Sequence, residues 1–166
     1  ISGGLYHELQ VRMTYNFNHI EGSKLTEDQT RLIFETRTID VGDGIPVDDI
    51  IETSNHFRAI DYVIDKALEP LSEDIIKHLH LLLKQGTKDS SLDWFAVGDY
   101  KKRANTVGGR ETCKPSEVHK TMDKLVTDFN SKSNITIDDI IELHADFEYI
   151  HPFQDGNGRV GRLFAL

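Results

Sequence analysis

The chain has 166 residues, 38% of them hydrophobic, and a formal net charge of −9, an ordinary balance for one globular domain. The acidic charge argues against non-specific nucleic-acid binding, which depends on many phosphate contacts from Lys and Arg. The longest apolar runs, such as Leu81 to Leu83, are too short to span a bilayer, and no N-terminal segment resembles a signal peptide. Cys113 is the only cysteine, which excludes an internal disulfide and suits the cytoplasm, the expected location.

Apolar residues recur at three- and four-residue intervals through most of the chain, which predicts a mainly α-helical bundle. The first helix is predicted over about residues 5–22. Its expected apolar stripe consists of Leu9, Met13, Phe17 and Ile20. A second helix should open with a capping box formed by Thr26 and Gln29. Later helices are predicted to begin at or just after Pro46, Ser72, Pro115 and Thr136.

The pattern changes between Trp94 and Gly109, where glycine, aspartate and asparagine replace the helical period. A short β-hairpin over about residues 94–109 is the better prediction there. Past Gly156 the pattern is helical again, and it stops in mid-pattern at Leu166. We therefore expect residues 1–166 to form a single domain whose C-terminus is incomplete.

The segment from His151 to Arg162 interrupts two apolar helical patterns with three glycines and several polar or ionisable residues. Pro152 should end the preceding helix, because a residue before proline is pushed out of the helical region. The next helix should start near Asn157 or Gly158, with its unpaired N–H groups directed at the loop. This arrangement predicts an anion site.

Ionisable side chains of the same segment supply the other parts of a phosphoryl- or nucleotidyl-transfer site. Arg159 and Arg162 lie three residues apart on one helical face, suitable for clamping phosphates. Asp155 offers a hard oxygen ligand, and Mg²⁺ needs only one or two carboxylates beside substrate phosphates. His151 suits a general base near pH 7. A glycine-rich turn with surface ion pairs would explain any one of these residues, but not the whole set in this order.

The segment matches the motif H-P-F-x-[DE]-G-N-G-R-x-x-R at every specified position, and the chain therefore resembles the Fic family (filamentation induced by cyclic AMP). Residues 143–150 resemble the family's approach helix, while 98–103 and 107–109 resemble its flap hairpin. The resemblance covers essentially the whole chain. It implies a mainly α, Fic-type helical bundle with one small β-hairpin flap over the active site.

The resemblance implies a protein adenylyltransferase that moves AMP from ATP to a Ser, Thr or Tyr hydroxyl of a target protein, or of itself, and releases pyrophosphate. His151 would be the catalytic base, Asp155 would hold Mg²⁺, and Phe153 would anchor the loop. The nucleotide-binding residues would be Gly156, Asn157, Gly158, Arg159 and Arg162. Glycine at position 158 favours AMP transfer, since a related toxin branch carries Lys there and acts as a kinase.

By the same resemblance, the flap would hold the target by adding the target's backbone as a strand, which reads little side-chain identity. The residues expected to dock the target are Gly98, Tyr100, Lys101, Lys102, Arg103 and Val107.

Family members often carry an inhibitory helix with the motif [ST]-x-x-x-E-[GN]. Glu21 and Gly22 match it at the end of the first predicted helix, whereas Phe17 stands where Ser or Thr is expected. The resemblance implies that Glu21 pairs with Arg162 and takes the place of the γ-phosphate of ATP. The missing hydroxyl implies weaker inhibition than usual.

Two other functions stay open at this point. The same site would serve removal of AMP from a modified protein, with Glu21 orienting the attacking water. A nucleotide-sensing regulatory module is the other, although the intact His151 argues against a purely binding role. The expected partners are ATP and a protein with an acceptor hydroxyl. Neither nucleic acid nor a membrane is expected to bind. A homo-oligomer is compatible with the sequence. His144 is interpreted as a hydrogen-bonded core residue rather than a second base.

Overall fold

The computed structural model describes residues 4–40 and 44–166, and within them the chain forms seven α-helices and one two-stranded antiparallel sheet. The helices are α1 (Leu5–Ile20), α2 (Glu27–Thr36), α3 (Val47–Lys66), α4 (Glu73–Lys84), α5 (Pro115–Asn130), α6 (Ile137–Ile150) and α7 (Asn157–Phe164). The sheet pairs β1 (Thr106–Val107) with β2 (Arg110–Glu111). The prediction of a mainly α fold with one small hairpin is therefore confirmed. No helix among the described residues is long and apolar enough to cross a membrane.

Local capping signals set the starts of several helices as predicted. Thr26 accepts a hydrogen bond from the backbone N–H of Gln29 (3.1 Å), and the Gln29 side chain accepts one from the backbone of Thr26 (3.0 Å). The Ser72 hydroxyl accepts a hydrogen bond from the backbone N–H of Ile75 (3.2 Å) and so caps α4, and Pro115 is the first residue of α5. These contacts satisfy N–H groups that the first turn of a helix leaves without a partner.

The main core lies where α3 to α7 meet. Its buried residues include Ile60, Ile76, Leu79, Leu83, Met122, Phe147, Phe153, Val160 and Leu163. A smaller apolar cluster, Leu25, Ile33 and Phe57, fixes α2 against α3. Because Val160 and Leu163 are fully buried, α7 runs through the centre of the domain. The loop before α7, residues 151–156, is consequently anchored to the main core, which contains its residue Phe153.

The orientation of α1 differs from the prediction. The residues that it buries are Gln10, Val11, Thr14 and Asn18. Leu9 and Ile20, which were expected to face inward, are 46% and 65% exposed. Met13 and Phe17 are partly buried against the main core. The predicted stripe is therefore wrong at two of its four positions.

Polar contacts explain this rotation of α1. The hydroxyl of Thr14 shares a buried hydrogen bond with Nδ1 of His56 on α3 (3.0 Å). The side-chain amide of Gln10 donates to Asp61, also on α3 (2.6 Å). Buried polar groups need partners, and these pairs form only when the polar face of α1 is turned toward α3. A periodicity of apolar residues does not contain that information.

The predicted hairpin over residues 94–109 is also shorter in the structure and lies further along the chain. Its strands cover only 106–107 and 110–111, joined by Gly108 and Gly109, both at positive φ. Residues 94–105 form turns and irregular chain that lie against the core, because Phe95 and Tyr100 are buried there.

Candidate active site

The loop between α6 and α7 is closed by its own side chains. His151 follows α6 in the left-handed conformation (φ 52°, ψ 61°), which is uncommon for a residue other than glycine. The side chain of Asn157 accepts a hydrogen bond from the backbone N–H of Phe153 (2.8 Å) and donates one to its carbonyl oxygen (2.9 Å). Asn157 is buried, so its side chain serves the loop, and only its backbone N–H is left for an anion. The Phe153 ring is fully buried, in keeping with its expected anchoring role.

Helix α4 supports this loop from below, a role that the sequence did not indicate. The ring of His80 stacks on the ring of Phe153, with centroids 4.1 Å apart and planes inclined by 7°. Nδ1 of His80 accepts a hydrogen bond from the backbone N–H of Gly98 (3.0 Å). Burial, reinforced by the nearby charge of Lys84, lowers the pKa of His80 to about 3, so the ring is neutral. It therefore acts as a flat, uncharged support for the loop.

A cluster of two acidic and two basic side chains lies beside the loop, and all of them but Asp155 are largely buried. Arg159 donates two hydrogen bonds to Glu52 on α3, at 2.6 and 3.2 Å. Lys84, which follows His80 by one turn of α4, donates to Glu52 (2.5 Å) and to Asp155 (2.7 Å). The side chains of Lys84 and Arg159 are each only 4% exposed. The cluster thus joins three helices to the loop.

The charges in this cluster stabilise one another. Burial tends to raise the pKa of Glu52, but the hydrogen bond and charge of Arg159 and the charge of Lys84 hold it below its usual value. Burial likewise tends to raise the pKa of Asp155, but the charge and hydrogen bond of Lys84, together with the charge of Arg159, hold it below its usual value. The pKa of Lys84 is raised by its two acidic partners against the effect of burial. All four side chains are therefore ionised at neutral pH.

A second Arg–Glu pair lies nearer the surface, and its arginine, Arg162, belongs to the last turn of α7. Nη2 of Arg162 donates to Oε1 of Glu21, the residue that follows α1. The ring of Phe17 lies 5.4 Å from the Arg162 guanidinium, and the Phe17 carbonyl oxygen is 3.5 Å from Nη2. A Cβ atom at Gly158 would lie 2.5 Å from Oε1 of Glu21. Glycine at this position thus lets the Glu21 carboxylate sit directly over the helix start.

His151 is held in a form suited to accept a proton. Burial, the charge of Lys101 and, more weakly, that of Arg110 lower the pKa of its imidazole. The ring is therefore neutral at pH 7. Its Nδ1 lies 3.8 Å from Oε2 of Glu148, and that carboxylate is also 4.0 Å from Nε2 of His144. His144 is 30% exposed, which contradicts its interpretation as a core residue.

Two of the predicted docking residues, Tyr100 and Lys101, have buried side chains with structural roles. Tyr100 donates a hydrogen bond to Glu73 (2.6 Å). The Nζ of Lys101 donates to Thr112 (2.6 Å) and to the carbonyl oxygen of His151 (2.8 Å). Burial lowers the pKa of Lys101 to about 8. Neither side chain is accessible to a target, so docking by these two residues would use their backbone and stays a prediction.

Gly98 packs under the flap, since a Cβ there would lie 3.1 Å from that of Leu81. The remaining docking candidates, Lys102, Arg103 and Val107, are exposed, so their role stays a prediction.

The residues around the loop fit a magnesium ion that arrives with a nucleotide. No group of three or more His, Cys, Asp or Glu side chains able to hold a metal occurs among residues 4–40 and 44–166. A single carboxylate suits Mg²⁺, which usually retains waters and binds substrate phosphates. The Asp155 side chain is 48% exposed while its partner Lys84 is buried. Asp155 can therefore present its carboxylate to solvent while Lys84 holds it from the inner side.

The chain is similar to several known proteins. The chain is 29% identical over 163 residues to "Protein adenylyltransferase Fic" of Drosophila persimilis, covering 94% of this chain and 30% of the relative. A crystal structure of a Fic domain containing signaling protein from Bacteroides thetaiotaomicron superimposes with a TM-score of 0.83 at 30% identity, covering 95% of this chain and 61% of that one. Fic-1 from C. elegans shares the fold, with a TM-score of 0.77 at 24% identity.

The chain thus spans less than a third of the length of its Drosophila relatives. The profile described as "Fic/DOC family" matches residues 70–166, more than half of the chain, and includes the whole segment from His151 to Arg162. On this match, the chain belongs to the Fic/DOC family.

Proposed function

We propose that this domain transfers AMP from ATP to a Ser, Thr or Tyr hydroxyl of a protein, or of itself, and releases pyrophosphate. The observation that carries the proposal is the placement of a neutral His151 and the ionised Asp155 in one loop at the start of α7. The relatives from Drosophila bear the name protein adenylyltransferase, which supports the same reaction.

The proposed chemistry is a single displacement at the α-phosphorus. The acceptor oxygen forms a bond to the α-phosphorus, and the bond from that phosphorus to the oxygen bridging to the β-phosphate breaks. The hydroxyl proton passes to Nε2 of His151, and pyrophosphate leaves with the electrons of the broken bond. A neutral imidazole is required for this step, and the lowered pKa of His151 supplies it at pH 7.

The remaining groups stabilise negative charge on the phosphates. The first N–H groups of α7 have no partner within the helix and are directed at the loop. Mg²⁺ held by Asp155 would draw charge from the phosphates when bound. Arg162 is partly exposed and would hold phosphate oxygens once Glu21 moves away. Both terminal nitrogens of Arg159 donate to Glu52 in the core, so its expected phosphate contact stays a prediction.

We also propose that Glu21 restrains this reaction. Its carboxylate occupies the space over Gly158 and engages Arg162, the residue expected to hold the γ-phosphate. A carboxylate and a phosphate cannot both take the same guanidinium edge, so productive ATP binding requires Glu21 to move away.

The lone Cys113 supports the cytoplasm as the place where this reaction occurs.

Mass spectrometry tests the proposed reaction. The Glu21→Gly variant is incubated with ATP and Mg²⁺, and the gain of AMP on the domain or on an added protein is expected. The double variant Glu21→Gly, His151→Ala should still bind ATP, measured by calorimetry, yet transfer no AMP. Label arriving from the γ-phosphate, or loss of AMP from an already modified protein without any gain, would contradict AMP transfer in favour of phosphate transfer or AMP removal.

A further inference from the structure

Basic residues concentrate around the hairpin of this acidic protein. Residues 100–114 contain five Lys or Arg residues and one acidic residue, Glu111, whereas the whole chain has a net charge of −9. Lys101 is buried, as described above. The other four are exposed, and together they are called the cationic flap: Lys102, Arg103, Arg110 and Lys114. An acidic chain that keeps its positive charge in one place creates a local field that attracts anions.

The cationic flap has no acidic partner of its own. None of its four side chains forms an ion pair within the described part of the chain, whereas some surface cations elsewhere do, for example Lys124 with Asp128 and Lys132 with Asp139. Arg103 instead lies over the ring of Trp94, at 4.3 Å from its centroid. Arg110 lies over the ring of Tyr149, at 4.1 Å.

Such stacking uses the face of a guanidinium group and leaves its N–H edge available for a carboxylate. The two arginines are therefore held in place without their donors being consumed.

The cationic flap adjoins the catalytic loop. Tyr149, under Arg110, precedes His151 by two residues. The backbone N–H of Arg103 donates to the side chain of Gln154 within the loop (3.3 Å). The charge of Arg110 is also among the causes that lower the pKa of His151, which places it within electrostatic reach of the base. A polypeptide that brings a hydroxyl to His151 must therefore pass the cationic flap.

We infer that the flap selects acceptor hydroxyls flanked by acidic residues, so that the protein substrate presents an acidic, extended segment. This inference rests on the proposed AMP transfer and deepens it. Pairing with the hairpin backbone would align the segment, as in strand addition generally, and carboxylates on the segment would meet Arg103 and Arg110. The side chains of the flap thus contribute selectivity that backbone pairing alone does not provide.

Peptides that differ only in charge test this inference. Three sets, each with one Ser, Thr or Tyr acceptor, carry Glu, Gln or Lys at the flanking positions, and AMP incorporation by the Glu21→Gly variant is measured with α-labelled ATP. We expect kcat/KM to be about tenfold higher for the Glu set than for the Gln set, as two exposed ion pairs of ~0.7 kcal/mol each would give. The difference should appear in the KM for peptide and shrink as salt is raised.

Variants of the flap identify the residues responsible. The double variant Arg103→Glu, Arg110→Glu should reverse the preference to the Lys set, judged by the ratio of rates on charged and neutral peptides. This ratio cancels any effect of the substitutions on His151 itself. Lys120→Glu, an exposed lysine of α5 outside the flap, is the matched control and should leave the ratio unchanged.

The outcomes separate this inference from the reaction on which it rests. If neither the peptides nor the domain itself gains AMP, the proposed transferase activity fails and the inference fails with it. If AMP reaches all three peptide sets equally, the activity stands and the acidic preference is wrong. If the double variant raises the KM for ATP instead of the KM for peptide, the flap serves the nucleotide and the inference is likewise wrong.

Discussion

Helix α7 carries two arginines that each bind a glutamate, and the two pairs differ in nearly every other respect. The inner pair, Arg159 with Glu52, has side chains 4% and 17% exposed. The rim pair, Arg162 with Glu21, has side chains 21% and 33% exposed. The inner glutamate also binds Lys84, whereas the rim glutamate binds one arginine only. The same chemistry, three residues apart, therefore has two functions.

Burial decides which pair can open. Separating the inner pair would leave buried charges without partners, and the cost of an unpaired buried charge is large. The rim pair can separate into solvent, and an anion that reaches Arg162 can replace Glu21 at little cost. We conclude that the inner pair holds the domain together, while the exposure of the rim pair is compatible with the removable restraint proposed above.

The largest effect is expected from breaking the inner pair. Glu52→Ala leaves Lys84 and Arg159 buried without their shared partner, so the free energy of unfolding should fall by about 3–5 kcal/mol. For a domain of this size, the melting temperature should drop by roughly 10 °C. Thermal unfolding followed by circular dichroism measures it, with Glu69→Ala, an exposed glutamate paired with Lys66, as the control. If the free energy of unfolding of Glu52→Ala fell by less than about 1 kcal/mol, as for a surface ion pair, the inner pair would be no more structural than the rim pair.

The next largest effect is expected at Lys84, which donates both to Glu52 of the inner pair and to Asp155, the expected magnesium ligand. Lys84→Met should weaken binding of Mn²⁺, used in place of Mg²⁺, by about 10- to 100-fold, since Lys84 orients the carboxylate of Asp155 from the inner side. Electron paramagnetic resonance titration with a non-hydrolysable ATP analogue measures it in the Glu21→Gly background. Lys77→Met removes a lysine–aspartate pair from the same helix, away from the loop, and should have no effect. Unchanged or tighter Mn²⁺ binding by Lys84→Met would refute the positioning role.

Breaking the rim pair should change activity and hardly change stability. Glu21→Gly frees Arg162 for ATP, and we expect initial rates of AMP incorporation to rise by about tenfold, equivalent to ~1.4 kcal/mol. The free energy of unfolding should change by less than about 1 kcal/mol, because the pair is partly exposed. Glu69→Gly provides a matched surface control. A melting temperature that falls as far as that of Glu52→Ala, or a rate that does not rise, would show that the rim pair is structural.

The two pairs also mark what sequence can and cannot reveal. Arg162 and Glu21 were predicted to pair, because a long motif and its companion helix motif name both residues. Glu52 and Lys84 were missed, because Glu52 binds Arg159 from a position 107 residues away in sequence. Nothing local distinguishes Glu52 from the solvated acidic residues of other helices. The one available signal was Lys84 itself, a cation one turn after His80 on the inward face of α4.

The errors at α1 and the flap have a related cause. Periodicity placed Leu9 and Ile20 inward, but polar partners on α3 fixed the rotation of α1 instead. At the flap, nothing in the sequence indicated that the side chains of Tyr100 and Lys101 are held by hydrogen bonds in the core. Each case concerns polar groups whose buried partners lie elsewhere in the sequence, which patterns of residue type cannot locate.

The smallest effect is expected in the pH dependence, where neither pair should matter. In the proposed reaction the neutral form of His151 is the base, so kcat/KM should rise as pH rises through its pKa and level off above it. Burial, Lys101 and Arg110 lower this pKa, which puts the midpoint below 6.5. Neither Glu21 nor Glu52 is among the causes of the shift.

The Glu21→Gly variant should therefore show a higher rate with this low midpoint, and adding Arg110→Gln should move the midpoint upward, because a positive charge near the base is removed. Rate profiles across the acidic range measure both. A midpoint at or above 6.5 would contradict the lowered pKa of His151. A midpoint that follows residue 21 would mean that the rim pair acts on the base as well as on the nucleotide, so the restraint would not be confined to Arg162.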